Sequence, residues 1–541
     1  MAQSPPAFNR SLSLLDLTML GFGAVFGSGW LFAASHVAAI AGPASILSWF
    51  AGGFAVLLLG LVYCELAAAL PEAGGMIRYP AYAHGPLLGA LLGFITVIAY
   101  SSLISIEIIA ARQYAGSWIP GLTANSAGDA TLLGWGVQFV VLVGMLRLNI
   151  SGVKTFALFN NIITVFKFIV PVMVTVMLLV HMHPGNFTAW GFAPFGRQSV
   201  EAAVSVGGII FAYLGLTPII AVASEVRNPQ RTIPIALTLS IFLATLVYVL
   251  LQVAFIGCVP ADMLTAKGWA GIDRVLPLPF HDIAIALGLG WLATAVVIDA
   301  VVSPSGTGNI YMGSTARIIY AWSRSGTFLP WFGKLDTRHG VPRRATFLTF
   351  GLCIFWMLPF PSWEALIGVV SSALIMSYAF APVAAAALRR SAPDLTRPFR
   401  VSYIRVLGPV SFMIASLIVF WSGWHTLSWL LAVQLAFGVI FLAVQGARDM
   451  DAMRENLRSS AWVLAYFAGM LVLSACGSLG GYSLLAHPFD DVVVAIFSGL
   501  IFVWGERAAY RDMQLPASSL PPVGTVMDPD VVIANEPVIS T

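Results

Sequence analysis

Long apolar runs separated by short polar stretches set the pattern of this 541-residue chain. A helix needs about 20 residues to cross a hydrocarbon core. Read against their flanks, the runs predict helical spans at about 14–40, 44–70, 86–112, 131–148, 155–181, 200–224 and 233–259. Seven more follow at about 283–322, 345–360, 362–388, 404–424, 427–446, 461–485 and 491–506, which makes about 14 transmembrane helices. Two of the runs carry an interruption. GFGAVFGSGW, residues 21–30, places glycine at 21, 23, 27 and 29 in the middle of the first span. Each glycine inside a helix costs about 1 kcal/mol relative to alanine. FAYLGLTPII, residues 211–220, interrupts the sixth span. There Thr217 suits an N-cap and Pro218 suits the first position of a new helix, so two half-helices are predicted to meet at Leu214 to Leu216.

Gly23 and Gly27 also form a GxxxG pair, whose alternative reading is close helix packing. The second interruption favours broken helices. Interrupted spans at corresponding places in two halves point to a site between inverted repeats, and spans 1 and 6 each open a block of five. Unwound backbone is tolerated at membrane depth only where it lines a cavity. Ser28 and Gly29 would begin the outer half of span 1 and offer N–H groups and a positive dipole end to a carboxylate. Carbonyls freed at Gly23, Val25, Phe211 and Leu214 would accept from an ammonium group. With Gly27 and Gly215 admitting close backbone approach, the two ends suit an amino acid zwitterion.

Composition agrees with this and narrows it. Hydrophobic residues make up 59% of the chain and charged residues 9%, against about 25% charged in soluble domains. The predicted fold class is therefore an all-α polytopic membrane protein. Net charge is only +3, but its distribution is informative. With the N-terminus inside, the cytoplasmic loops hold most of the basic residues, from Arg78 to Arg458, and the opposite loops hold only Arg197, Lys267 and Arg274. Positive loops stay cytoplasmic, which predicts a multi-pass protein of the cell membrane with both termini inside. No nucleic-acid signature, nucleotide-binding P-loop, metal site or cofactor motif is present. Cys64, Cys258, Cys353 and Cys476 lack the spacing of a zinc or disulfide framework and read as packing residues. MAQSPPAFNR leads straight into the first span and is expected to be retained. The tail from about Asp512 is polar and proline-bearing, with the composition of a disordered segment.

These residues resemble the amino acid, polyamine and organocation (APC) superfamily of permeases. GFGAVFGSGWLFA is similar to its span 1 signature, and ELAAALPEAGGMIRYPAYAHGP at 65–86 to its span 2 motif and the following loop. FAYLGLTPIIAVASEVRNPQRTIPIA at 211–236 resembles its span 6 signature, and ARIIYAWSRSGTFLPWFGKLDTRHGVPRR at 316–344 the loop after span 8. The resemblance covers about the first 400 residues. It implies a five-plus-five inverted repeat over 14–390, accessory helices over 391–508 and cytoplasmic ends at 1–13 and 509–541. It also implies secondary transport of amino acids. Some members carry a carboxylate in the span 6 break where this chain has Thr217. Some carry a lysine in span 5 where sodium-coupled relatives of the fold bind their ion. Lys167 stands at that place, about 18 Å into its span at 1.5 Å per residue. The match implies a lysine ammonium in place of a metal ion. Span 1 carbonyls and hydroxyls such as Ser305 or Thr307 would partly hold its charge, and the ammonium either titrates, with protons as the coupling ion, or is a fixed charge bracing span 1 against span 8.

Intramembrane charges are functional by default. Glu107 is expected to face the substrate cavity, to pair with Arg112 or to cap a kink, and Asp299 is a second such group. Glu65 and Glu225, near cytoplasmic ends, read as structural, and Phe211 as an aromatic gate. The favoured partners are an amino acid, protons and the bilayer, while the oligomeric state stays open. The runner-up substrates are polyamines or other organic cations, which would load Glu107 or Asp299 instead. Two other classes remain, a channel built on the same broken helices and an intramembrane hydrolase using Ser28 with His36. No GxSxG elbow surrounds Ser28, so the hydrolase has the weaker footing.

Overall fold

The computed structural model describes residues 12–70, 74–125, 128–150, 153–213, 216–221, 226–336, 341–510 and 515. Among them the architecture is all-helical, with only two isolated β-bridges. The first half runs α1 (Leu14–Val25), α2 (Gly29–Ala41), α3 (Ser45–Ala69), α4 (Gly75–His84), α5 (Pro86–Ala115), α6 (Leu132–Ile150), α7 (Val153–Val180), α8 (Arg197–Ser205), α9 (Ile209–Ala212), α10 (Leu216–Ala221) and α11 (Pro229–Cys258). It continues with α12 (Ala261–Lys267), α13 (Ile272–Val275), α14 (Pro279–Ala286), α15 (Gly290–Arg324), α16 (Arg343–Met357), α17 (Trp363–Ala379) and α18 (Ala381–Ser391). The last four helices are α19 (Ile404–Phe420), α20 (Gly423–Gly446), α21 (Met450–Cys476) and α22 (Phe489–Arg507).

Among the described residues, seven helical stretches are long and apolar enough to cross a membrane: Gly29–Ala69, Pro86–Ala115, Leu132–Ile150, Pro229–Cys258, Trp363–Ser391, Gly423–Gly446 and Met450–Cys476. Helix α15 spans 35 residues and carries buried Asp299, Ser303 and Thr307 on one side. It packs most extensively on α5, and α5 in turn on α17, so these three form the centre. Helix α1 lies against α10 and α11, while α19 and α22 pack together on α18.

Local chemistry sets the helix ends. Ser13 Oγ accepts from the Asp16 N–H while Asp16 accepts from the Ser13 N–H at 2.9 Å, a capping box that starts α1 just before the apolar run. Three predicted spans differ from what is seen. The expected span 461–485 begins instead at Met450, because Asp449 accepts from the N–H groups of Asp451 and Ala452 and the polar stretch after it is a good helix former. The expected span 283–322 is divided between α14 and α15 at Gly288, whose φ of +74° no ordinary residue adopts easily. The sixth span has a second break, at Val206–Gly208, where Gly208 has φ +89°. The terminal segments 1–11 and 516–541 and Glu225 lie outside the described residues.

The four cysteines are free, and three of them are buried. Glu65 at the end of α3 is held by the Nε and Nη2 groups of Arg389, by Arg397 at 3.7 Å and by the Val401 N–H at 2.8 Å. It is thus a fully bonded structural carboxylate joining α3 to α18.

His84 closes α4 where it meets the last helices. Its ring lies 5.0 Å from that of Trp462, Nδ1 meets the Ala508 carbonyl at 3.0 Å, and Nε2 is buried without a hydrogen bond. Burial outweighs the bonds to Ala508 and Ser459 and lowers its pKa to about 4. Between its ordinary value near 6.5 and 4 the unfolded chain binds more protons than the folded one, so stability falls as pH falls through that window. The loss from pH 7 to pH 5 is about 2 kcal/mol. The Tm of purified protein should drop over that range, and His84→Gln should flatten the drop. An unchanged pH slope in the variant would remove His84 as its cause.

Candidate substrate and ion site

Helix α1 stops at Val25 and α2 restarts at Gly29, leaving Phe26, Gly27 and Ser28 as an interruption. Every residue from Gly21 to Ala34 is buried. Three of the carbonyls at the break are met by side chains from other helices. The Gly23 carbonyl accepts from Lys167 Nζ at 2.8 Å, the Val25 carbonyl from the Tyr248 hydroxyl at 3.1 Å, and the Phe26 carbonyl from Ser303 and Thr307, each at 3.3 Å. At the start of α2 the Ser28 N–H donates to Glu107 at 2.7 Å. A carboxylate therefore already sits where the helix end offers one a place. The Ser28 hydroxyl makes no capping bond; it accepts from the Trp363 indole at 3.0 Å.

The glycines let the neighbours come this close. A β-carbon on Gly27 would stand 2.2 Å from Glu107, and one on Gly29 would stand 3.0 Å from the β-carbon of Ala212 in α9. The two broken helices thus touch backbone to backbone. Tyr248 of α11 joins them again, since its hydroxyl lies 3.1 Å from the carbonyls of both Val25 and Ala212. One hydroxyl has one proton, and two carbonyls share it. The Val25 carbonyl also accepts from the Gly27 N–H at 3.0 Å.

Lys167 is fully buried and donates also to Thr307 at 2.5 Å. Ser305 does not reach it: its hydroxyl bonds the Val301 carbonyl of its own helix at 2.6 Å. Helical phase decides between them. Asp299, Ser303 and Thr307 recur every four residues and share the side of α15 that faces the break, whereas Ser305 points away. Asp299 is buried with neither oxygen in a hydrogen bond of ordinary geometry, and the nearby Trp30 indole N–H is likewise unpaired. Lys167 interacts electrostatically with both Glu107 and Asp299.

Other expected partners are placed differently. Arg112 does not pair with Glu107; its guanidinium serves the carbonyls of Leu122, Gly128, Asp129 and Pro361. Phe211 is buried and meets Trp363 edge-on at 6.2 Å, while Phe32 stacks on Trp363 at 5.1 Å. Phe32 and Trp363 line a small recess together with Ser35, His36, Gln113 and Asp273. His36 bonds Asp273 at 3.2 Å, and the Ser28 hydroxyl is engaged by Trp363. Helix α10 begins at Leu216, which puts Thr217 and Pro218 inside its first turn. Leu214 and Gly215 lie outside the described residues. Tyr248, Trp363 and Ser303 were not singled out from the sequence. Of these, only Ser303 carried a signal, its spacing of four from both Asp299 and Thr307.

A many-helix membrane protein with two interrupted, mutually bonded helices at its centre has the build of a permease. The chain belongs to the amino acid permease family, whose model matches residues 12–456. It is 49% identical over 502 residues to the aspartate-proton symporter of Bacillus subtilis, covering 92% of this chain and 96% of that one. It is 37% identical to the glutamate/serine transporter AimA of the same organism, covering 93% and 94%. To the human cationic amino acid transporter 4 it is 27% identical, covering 71% of this chain and 60% of the relative. The chain is accordingly a transporter of amino acids and not an enzyme.

Two substitutions test the joined breaks. Tyr248→Phe removes the shared proton from two buried carbonyls and should lower stability by about 1–3 kcal/mol, read as a lower Tm, with transport impaired. Gly29→Leu should insert into the membrane normally and abolish uptake, because its side chain has to push α9 away. Normal uptake by that variant would separate the glycine string from function.

Proposed function

We propose that this chain is a proton-coupled symporter that brings an acidic amino acid, aspartate first, into the cell. The carrying observation is the Glu107 carboxylate on the Ser28 N–H at 2.7 Å, beside carbonyls that share one proton donor. That arrangement supports an anion place and an ammonium place a few ångströms apart. The names of the two B. subtilis relatives support an acidic side chain and, for one of them, protons.

In this reading Gly27, Ser28 and Gly29 receive the substrate α-carboxylate, and the carbonyls of Val25, Phe211 and Ala212 face its ammonium, while the Gly23 carbonyl is held by Lys167. A carboxylate arriving at Ser28 displaces Glu107. A displaced carboxyl in a buried site is least costly when neutral, so substrate arrival is tied to proton uptake. Lys167 occupies the place of a coupling cation, with Thr307 and the Gly23 carbonyl as its ligands. The scaffold is a five-plus-five inverted repeat over residues 14–390 with accessory helices over 391–508. About 14 spans would cross the cell membrane with both termini cytoplasmic, an orientation that the bias of basic loops supports.

A cationic substrate is the second reading, favoured by the unbonded oxygens of Asp299. Thermal-shift measurements on purified protein against aspartate, glutamate, serine, arginine and putrescine separate the two, since a true ligand raises Tm by mass action. Aspartate should give the largest rise. In proteoliposomes, aspartate uptake should be independent of sodium and driven by an inward proton gradient, and Lys167→Ala should abolish that drive. Sodium-dependent uptake, or full gradient-driven accumulation by the variant, would overturn the coupling scheme.

A further inference from the structure

Away from the two breaks, a second group of charged side chains joins α8 to the first turn of α22 and the residues just before it. Glu201, His487 and Asp491 present one ligand atom each, all within 4.8 Å of one another. His487 Nδ1 stands 3.3 Å from Asp491 Oδ2, 3.7 Å from Glu201 Oε2 and 3.8 Å from Asp490 Oδ1. Glu201 is nine-tenths buried, and its Oε2 has no hydrogen-bond partner. We propose that these side chains form a divalent metal site, suited to zinc, that fastens the sixth span to the last two helices.

Three features carry the assignment. The first is spacing. Around a tetrahedral zinc with bonds near 2.0–2.1 Å, ligand atoms lie about 3.4 Å apart, close to the separations His487 keeps from two carboxylates. The second is orientation, because each carboxylate is held by its other contacts. Arg197 donates to Glu201 Oε1 at 2.7 Å and Trp421 to Asp491 Oδ1 at 2.9 Å, which leaves Oε2 and Oδ2 turned toward His487. Asp490 is fixed by the Ser478 hydroxyl at 2.6 Å and stands as a fourth ligand or a holder of bound water. Such outer partners are what orient the ligands of a metal site. The third is charge. Three carboxylates face one guanidinium, so with His487 neutral two negative charges go uncompensated, which is the charge of one divalent ion.

Among the described residues a further His–carboxylate group, His36 with Asp273 and Glu364, lacks this build. His36 is already hydrogen-bonded to Asp273, and Glu364 is exposed.

The test uses full-length protein in detergent, stripped with a chelator and titrated with zinc chloride. One zinc per chain should bind by calorimetry and raise the Tm by about 3 °C or more, with reversal by the chelator. Glu201→Gln and His487→Ala should each weaken that binding by about tenfold or more while leaving aspartate binding intact. His487→Arg supplies a permanent cation in place of the metal and should fold without responding to zinc. Zinc binding and stabilisation that are equal in wild type and all three variants, or absent from wild type, would overturn the proposal and leave an ion-paired His487.

Discussion

A helix interrupted inside a bilayer strands N–H and C=O groups that lipid cannot satisfy, and each must find a partner within the protein. In this molecule the partners come from four helices. Glu107 of α5 takes the N–H of Ser28, Lys167 of α7 the carbonyl of Gly23, Tyr248 of α11 the carbonyls of Val25 and Ala212, and Ser303 and Thr307 of α15 the carbonyl of Phe26. The placing of those helices around α1 and α2 follows from that requirement as much as from apolar packing. The polar side of α15 exists because of it.

Two buried carboxylates show how differently a membrane interior treats such groups. Glu65 has a bidentate arginine, a second arginine and a backbone N–H, and is a joint between helices. Asp299 has neither oxygen in a hydrogen bond of ordinary geometry, with the Trp30 indole beside it. A buried carboxyl left this way is costly to keep charged, and it is the kind of group that ligands or protons visit. Lys167 lies between these cases, bonded to a carbonyl and a hydroxyl yet within the field of two acids.

Much of this was legible along the chain. The glycine string marked the first break because few other features explain four glycines in ten apolar residues, and the apolar runs marked the helices themselves. The polar side of α15 was half legible: Thr307 was picked out together with Ser305, where the period of the helix selects Ser303. Tyr248 and Trp363 were not legible, since an aromatic in an apolar run reads as packing until its polar atom is placed. The partner of Glu107 depended on tertiary contact 79 positions away, and sequence proximity suggested Arg112 in its stead. The extra breaks at Gly208 and Gly288 lie in runs whose composition alone looks continuous.

The clamp between Glu65 and Arg389 spans 324 positions of chain. At ribosomal rates of about 5–20 residues per second, the arginine emerges about 15–65 s after the carboxylate it is to hold. Through that interval Glu65 sits at a membrane edge without its partner, and Lys167 waits in the same way for Thr307, 140 positions later. The first half of the molecule therefore enters the bilayer as a set of unfinished contacts. Its inner charges have to be sheltered, by water or by the insertion machinery, until the second half arrives to complete them.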